Sequence, residues 1–411
     1  MTDVTGGNSG NCKDGKSDEG GKSGKLQPKL RFKGFTDAWE QRALGELATF
    51  AKGAGYSKSD LVGKGKPIIL YGRLYTDYQT IIHDVNTFVI DRPGSIYSVG
   101  NEVIVPASGE TAEDIARASV VCRAGIILGG DLNIIYPKPS LSSVFLALVI
   151  SNGKEHVKLA RKAQGKSIVH IHNNDLKYIR ISYPDIREQM TVSHLFRCFD
   201  CLIAAAERKV LLLKKKKHAY LNHIFTQHLR FTGHTTPWQT KKLGELEREQ
   251  KIRLGRGKVI SENDITSTPG KYPIYSSSAR NNGEMGRYGL WMFNQELVTW
   301  SIDGGGSVFY RPKHRFSITN VCGFVQVLTN IDCPFLAYQM MYIHNKIHFD
   351  YTVKAHPSVI RKLYFLGVPS IEEQIKIGNF FQTLDSLITA TERKVNLLKK
   401  KKQAYLQRMF I

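Results

Sequence analysis

Long apolar runs and cysteines are scarce in this sequence. The longest apolar run, Val144–Ile150, is far shorter than the roughly 20 residues that a membrane-spanning helix needs, and the polar N-terminus lacks the apolar stretch of a signal peptide. The 6 cysteines among 411 residues are scattered, which is typical of free thiols in a reducing compartment. We therefore expect a cytoplasmic protein that has no membrane partner.

Catalytic motifs are missing as well. The sequence has no Asn/Asp-Pro-Pro-aromatic run of an adenine methyltransferase, no glycine-rich cofactor loop after a strand, no HExxH motif and no convincing nuclease pattern. Gly10–Ser17 matches the Walker A pattern, but it lies in a polar tail, residues 1–29, that we predict to be disordered. Cys198 and Cys201 form a CxxC inside a predicted helix without a second pair of ligands. We expect no catalytic residue, no metal and no cofactor on this chain.

Acidic residues are outnumbered by basic ones. The chain has 58 Lys and Arg against 36 Asp and Glu, a net charge of +22. Such an excess favours a polyanionic partner, because each neutralised phosphate releases condensed counterions. Charge alone does not distinguish DNA from RNA or from an anionic membrane.

Two internal repeats organise the chain. The first repeat, a frame of the form Leu-Arg-Phe-x-Gly-(x)4-Trp followed by Leu-Gly-Glu-Leu, occupies Leu30–Trp39 with Leu44–Leu47 and returns at Leu229–Trp238 with Leu243–Leu246. The second repeat occupies Pro184–Phe225 and returns at Pro369–Phe410. The regions between the repeats share little sequence. One mechanical task performed on two different targets would produce this pattern.

The second repeat predicts a helix of about 40 residues, roughly 60 Å long, in each copy. A proline and a capping box, Asp185–Glu188 or Ser370–Glu373, mark the start of each helix. Apolar residues at heptad spacing predict that the two helices pair, and Lys217 and Lys402 interrupt the spacing at matching places. The positions that we expect in this seam are Phe196, Phe199, Ile203, Val210 and Leu213, and Phe381, Leu384, Ile388, Val395 and Leu398.

The two variable regions combine predicted strands with polar loops. The strands are predicted from β-branched and aromatic runs at Lys66–Tyr71, Glu102–Val105, Ile126–Leu128, Leu297–Trp300 and Val308–Tyr310. Arg and Lys suit guanine, Asn suits adenine, and Ser and Tyr suit phosphate, although each such residue alone is more often ordinary surface. The candidate DNA-binding residues are Lys58, Lys64, Lys66, Tyr71, Arg73 and Tyr75 in the first region, and Ser276, Ser277, Arg280, Asn281, Asn282, Arg287, Tyr288, Arg311, Lys313 and Arg315 in the second.

The frame and the repeated helix, with its Glu-Arg-Lys-Val-x-Leu-Leu-Lys-Lys-Lys-Lys-x-Ala-Tyr-Leu core, resemble those of type I restriction–modification specificity subunits. The resemblance implies an α+β fold: two mixed α/β target-recognition domains separated by two long antiparallel coiled-coil helices in a pseudo-two-fold internal repeat. The boundaries that we predict are a tail at 1–29, recognition domains at 30–183 and 229–368, and helices at 184–228 and 369–411.

The same resemblance implies the partners. Double-stranded DNA would be read as an asymmetric, bipartite site, and two modification subunits would bind around the helices and use S-adenosylmethionine. Restriction subunits that use ATP and magnesium would join them. Two alternatives stay open: an enzyme with a diverged methyltransferase or nuclease site, and a coiled-coil scaffold or adaptor that binds nucleic acid without reading its sequence.

Overall fold

A computed structural model describes residues 27–109, 111, 115–162, 169–277, 280–303, 307–349 and 354–410. The Walker-like Gly10–Ser17 and most of the tail predicted at 1–29 lie outside these residues. The chain divides into two units. The first takes the chain up to Cys201 and again from Lys399 onward, and the second runs from Leu202 to Leu398.

The first unit contains most of the short strands. Its strands are β1 (Glu40–Ala43), β2 (Ala48–Lys52), β3 (Leu61–Val62), β4 (Lys66–Ile69), β5 (Ile81–Ile82), β6 (Phe88–Val89), β7 (Tyr97–Val99), β8 (Glu102–Pro106), β9 (Ser108–Gly109), β10 (Ser119–Val121), β11 (Ala124–Leu128), β12 (Leu132–Pro137), β13 (Val169–His170) and β14 (Arg180–Tyr183). Its short helices are α1 (Leu44–Leu47), α2 (Arg73–Thr76), α3 (Ser143–Asn152), α4 (Lys154–Lys162) and α5 (Asn173–Lys177), with a 3₁₀ turn at Lys58–Asp60.

Two five-stranded sheets form the body of this unit, in the orders β2-β12-β8-β10-β5 and β3-β6-β4-β11-β7. Strand β8 is buried along its whole length, and its alternate residues enter two different clusters. Val103 and Val105 pack in the cluster that contains Phe145 of α3, whereas Ile104 packs in the cluster that contains Leu128 of the second sheet. Because successive side chains point to opposite faces, this sheet lies between a helical layer and the second sheet.

The second unit is built on one larger sheet. Its strands are β15 (Gln239–Lys242), β16 (Ile252–Arg256), β17 (Tyr272–Tyr275), β18 (Glu284–Tyr288), β19 (Phe293–Ser301), β20 (Val308–Ile318), β21 (Cys322–Val327) and β22 (Phe365–Val368). Its short helices are α7 (Leu243–Arg248), α8 (Glu262–Ser267), α9 (Cys333–His344) and α10 (Pro357–Leu363), with a 3₁₀ segment at Arg280–Gly283.

The six strands of this sheet follow the order β16-β21-β19-β20-β17-β18. The first five repeat the topology of β2-β12-β8-β10-β5, including the parallel pairing of the fourth and fifth strands. In each unit a separate two-stranded ribbon, β1 with β14 or β15 with β22, ties the start of the variable region to its end. All five predicted strand segments fall on observed strands, although β4 ends at Ile69, before the predicted Tyr71.

Two long helices carry the second repeat. They are α6 (Ile186–Phe225, 40 residues) and α11 (Ile371–Met409, 39 residues). Asp185 caps α6 by accepting hydrogen bonds from the amides of Arg187 (2.7 Å) and Glu188 (3.1 Å). Ser370 caps α11 in the same way through the amide of Glu373 (3.3 Å). The other half of the predicted capping box is wrong, because the carboxylates of Glu188 and Glu373 bind arginines of the frame instead of the N-cap amides.

Each unit pairs the end of one long helix with the start of the other. In the second unit, Lys217 of α6 binds Asp385 of α11 at 2.6 Å, and Tyr220 packs edge-on against Phe380. In the first unit, Lys402 of α11 binds Asp200 of α6 at 2.5 Å, and Tyr405 packs on Phe199, whose ring centroids are 5.6 Å apart. In each pairing the residue number rises along one helix as it falls along the other, so the contacting segments run in opposite directions.

The proposed seam positions lie at or near these contacts. Six are buried, at 9% exposure or less: Phe196, Ile203, Phe381, Leu384, Ile388 and Val395. Phe199, Val210, Leu213 and Leu398 are half-buried. Lys217 and Lys402, which interrupt the apolar spacing, have their charges paired with aspartates of the other helix.

Candidate nucleic-acid interface

A buried ion pair fixes the root of each variable region to its long helix. Arg31 of the first frame donates two hydrogen bonds to Glu188, at 2.7 and 2.6 Å. Arg230 of the second frame makes the same bidentate contact with Glu373, at 3.0 and 2.6 Å. Both carboxylates are only 1% exposed. Such planar, charge-assisted pairs orient the elements that carry them as well as stabilising them, so the frame holds each variable region at a defined angle to its helix.

The next residue of each long helix adds a second attachment. The side-chain oxygen of Gln189 accepts from the amide of Ser142, the N-cap of α3, at 2.8 Å. Gln374 accepts from the amide of Asp332, the N-cap of α9, at 3.0 Å. Each amide nitrogen donates back to the proline before its helix. The Glu-Gln dipeptide of the repeat therefore ties both the frame and the N-cap of an internal helix of the variable region to one helix start.

Three exposed lysines of the first region, Lys58, Lys64 and Lys66, occupy one short stretch around β3 and the start of β4. None has an ion pair within the part of the chain that the structure describes. Gly65 lies between two of them because its backbone passes very close to Val89, where an added Cβ would be 2.2 Å from the carbonyl oxygen. The three lysines on either side of this tight approach are all exposed.

The aromatic and basic residues of α2 and of the turn before it divide between surface and interior. Tyr71 is exposed and packs edge-on against Tyr75, with ring centroids 6.0 Å apart. Arg73 is largely covered and binds Asp77 at 3.3 Å and the carbonyl of Asp84 at 3.1 Å. The hydroxyl of Tyr75 donates to the carbonyl of Ser108. Arg73 and Tyr75 thus fix this segment to its neighbours, and Tyr71 is the residue of the three that is open to a ligand.

The loop between β17 and β18 presents two amides. Asn281 and Asn282 have φ values of 49° and 52°, a left-handed conformation that Asn tolerates better than most residues. The amide of Ser276 closes the loop by donating to the carbonyl of Gly283 at 2.8 Å, and its hydroxyl accepts from Thr319. Both asparagine side chains are exposed. Arg280 starts the 3₁₀ segment in this loop, and Ser277 is half-buried just before it.

Two of the candidates on the neighbouring strands are interior residues. Arg311 is 4% exposed: its guanidinium lies 3.7 Å from the ring centroid of Tyr275, and its Nε donates to Thr299 at 3.0 Å. Burial lowers the pKa of Arg311 to about 10. Tyr288 is 6% exposed and shares a hydrogen bond with Ser317. Neither side chain offers an open face to DNA in this conformation, and both instead hold the sheet together.

The other basic candidates on these strands are exposed. Arg287 is paired with Glu284 three residues before it, at 2.8 Å, whereas Lys313 and Arg315 project from β20. Arg315 lies 4.3 Å from the ring centroid of Trp291, and its Nη1 donates to the hydroxyl of Tyr272 at 3.0 Å. The sequence prediction missed Trp291. The sequence signal for it was a large aromatic residue in a Gly-Leu-Trp turn close to a basic strand. In the structure Trp291 is 44% exposed.

Sites for metals and membranes are not found in the described ranges. No cluster of His, Cys, Asp or Glu among the described residues could hold a metal ion. Among the described residues, Cys198 Sγ has one polar contact, with Nε2 of His194 at 3.5 Å, and both cysteines of the CxxC segment are free thiols. None of the described helices combines the length and the apolar character that crossing a bilayer requires.

Residues 236–400, which hold the second variable region and most of α11, match the family model for the type I restriction modification DNA specificity domain. The second half of the chain therefore resembles the DNA specificity domain of type I restriction–modification systems. The matched part holds Trp238 and the Leu-Gly-Glu-Leu of the second frame as well as most of the long helix.

Three relatives from Mycoplasma pneumoniae illustrate the likeness to type I specificity subunits. A protein named as a type I specificity subunit is 34% identical over 160 residues, which is 36% of this chain and 41% of that protein. The N-terminal part of a second is 48% identical over 90 residues, 21% of this chain and 48% of that protein. The type I restriction enzyme MpnII specificity subunit is 27% identical over 209 residues, 48% and 61% of the two chains. The matches with the first two thus span less than half of those proteins.

Two solved structures share the fold of this chain. The S subunit of a type I restriction–modification system from M. genitalium superposes with a TM-score of 0.66 at 16% identity, covering 94% of this chain and 99% of that one. A chain from a structural study of complex assembly and conformational transition in a type I system gives a TM-score of 0.52 at 16% identity, covering 90% and 97%.

Proposed function

We propose that this chain is the DNA-recognition subunit of a type I restriction–modification complex. Each variable region reads one half of a bipartite, asymmetric duplex site. The first recognition domain comprises residues 30–183 and the second residues 229–368. Residues 184–228 and 369–411 form an antiparallel coiled coil that sets the distance between the half-sites, and the protein works in the cytoplasm.

The observation that carries this proposal is the repeated attachment of two different surfaces. The Arg31–Glu188 and Arg230–Glu373 pairs hold the variable regions to their helices by the same geometry. The surfaces that they hold differ, since one exposes a row of lysines and the other exposes asparagines and an arginine. A reader of two unlike half-sites needs this combination, because phosphate contacts fix its position and base contacts provide its specificity.

The long helices also favour protein partners. Several large apolar residues on them are 40% exposed or more: Met190, Leu202, Leu211, Leu212, Ile371, Ile375, Leu387 and Leu397. Exposed apolar residues on a repeated helix are typical of a docking surface for two copies of one partner. We propose two modification subunits in this role, with restriction subunits joining through them. S-adenosylmethionine, ATP and magnesium belong to those subunits, and this chain is not itself an enzyme.

Methylome sequencing of a host that expresses this chain with its modification subunit tests the proposal. The expected result is adenine methylation in one bipartite motif with two unlike halves, and none when this chain is omitted. Half-sites read from one face should be about one helical turn, roughly 34 Å, apart. Methyl transfer or cleavage by the purified chain alone would instead support the alternative of an enzyme with a diverged site. Binding that ignores sequence would support a scaffold.

A further inference from the structure

The guanidinium of Arg315 is held in place by neighbouring aromatic side chains, unlike that of a mobile surface arginine. Tyr272 stands two residues before Ile274, which pairs with Ser317, and Arg315 stands two residues before Ser317 on the neighbouring strand. The two side chains therefore project from the same face of the sheet. Tyr272 accepts the hydrogen bond from Nη1, and Trp291 flanks the guanidinium at 4.3 Å while its ring stands 5.0 Å from that of Tyr272. Two aromatic rings thus restrict the arginine to one orientation.

The remaining edge of this guanidinium is open. No described residue accepts a hydrogen bond from Nε or Nη2 of Arg315 or forms an ion pair with it, and the side chain is exposed. The other arginines of the candidate surface whose side chains are described differ from it: Arg287 is neutralised by Glu284, and Arg311 is buried. Two parallel N–H groups on a planar, oriented cation match the O6 and N7 acceptors of guanine in the major groove. The same fork can also bind phosphate oxygens, but a phosphate contact carries no base preference.

We infer that Arg315 reads a guanine in the half-site of the second variable region, with Trp291 and Tyr272 as its positioning residues. This inference rests on the proposed function. The exposure of Trp291 agrees with this inference. Its indole is 44% exposed in a loop, and its interaction with the guanidinium orients Arg315.

The test is a selection from a duplex library with randomised half-sites, using the full chain assembled with its modification subunit. Wild type should select a guanine at one position, and Arg315→Ala should lose that preference, with affinity for the selected site falling roughly 10-fold to 100-fold. Arg315→Lys should also lose it because Lys lacks the planar fork. Trp291→Ala should weaken the preference, whereas Trp291→Phe should restore most of it. Lys313→Ala is the matched control, expected to lower binding to all sequences alike.

Replacement of the selected guanine by 7-deazaguanine sharpens the test, because it removes the N7 acceptor and leaves O6. Binding by wild type should fall about tenfold, and binding by Arg315→Ala should not change. If Arg315→Ala loses affinity equally for all sequences, or keeps the guanine preference, the inference about Arg315 is overturned. The proposed function is not affected by that result. If wild type selects no bipartite motif, the proposed function fails as well. Thermal unfolding of each variant verifies that the fold is intact.

Discussion

In both units the start of a long helix contacts the N-cap residue of a short helix in the variable region, α3 or α9. The pair of residues that forms this contact differs between the two units. Ser193 of α6 corresponds to Gly378 of α11 in the repeat. Ser193 lies 3.4 Å from Ser142, whereas a Cβ on Gly378 would lie 2.4 Å from a carboxylate oxygen of Asp332. In the second unit the larger N-cap residue, Asp332, therefore faces the smaller helix residue, Gly378. The comparison teaches that the joint between helix and variable region is preserved as a contact in both units, and we expect the two residues that meet there to compensate for each other in size.

The variable regions show the same relation on a larger scale. Their sequences share little, yet five strands follow one order in both. The extra chain of the first region forms a second sheet, and that of the second region extends the main sheet with β18. The scaffold is shared while the exposed edges differ, as the proposal of two unlike half-sites requires.

The largest effect is expected from breaking the buried ion pairs. Glu373→Ala should cost roughly 3–5 kcal/mol, because it leaves Arg230 without its partner and also removes the acceptor of Trp238, which donates to Glu373 at 3.1 Å. Glu188→Ala should cost less, since the Nε1 of Trp39 has no partner to lose. Urea unfolding, with hydrogen exchange at the start of each long helix, measures both losses. Glu372→Ala, at the exposed neighbouring position, is the control. An equal loss of stability in Glu372→Ala and Glu373→Ala would contradict a stabilising role for the buried ion pair.

A smaller effect is expected from exchanging the joint residues between units. Gly378→Ser should destabilise the second unit by about 1–3 kcal/mol through overpacking against Asp332. Adding Asp332→Ser recreates the Ser142–Ser193 pair of the first unit and should recover most of the loss. A double-mutant cycle by denaturant unfolding measures the coupling. Simple additivity of the two substitutions would show that the compensation is not real.

The smallest effect is expected at the lysines in the helix contacts. Lys217→Ala and Lys402→Ala should each cost about 1 kcal/mol or less, because both ion pairs are partly exposed. Lys217→Ala should be the larger, since Lys217 also lies over the ring of Tyr338, which donates to Asp385 at 2.7 Å. The charge reversal Lys217→Asp with Asp385→Lys should restore part of the loss. Thermal unfolding tests this order, and a reversal that is worse than Lys217→Ala would argue against pairing.

The repeats and the spacing of apolar residues were enough to predict the long helices and their N-caps, and β-branched and aromatic runs were enough to predict the strand segments. The repeated motifs also carried the resemblance to type I specificity subunits. They could not predict the partners of Lys217 and Lys402, because Asp200 and Asp385 are ordinary helix residues until the direction and register of pairing are known. They also could not separate Arg311 from Arg315. The two lie on the same strand, but Arg311 is buried and Arg315 is exposed, and only the packing of neighbouring aromatics decides which one remains open.

Exchange of residues 48–183 for the first variable region of another specificity subunit tests the central claim most directly. The exchange leaves Arg31, Glu188 and both long helices in place, so the frame contacts should persist. Methylome sequencing should then show one half of the methylated motif replaced, with the other half and the gap between the halves unchanged. A change in both halves, or in the gap, would contradict the account that each variable region reads one half-site from a shared helical frame.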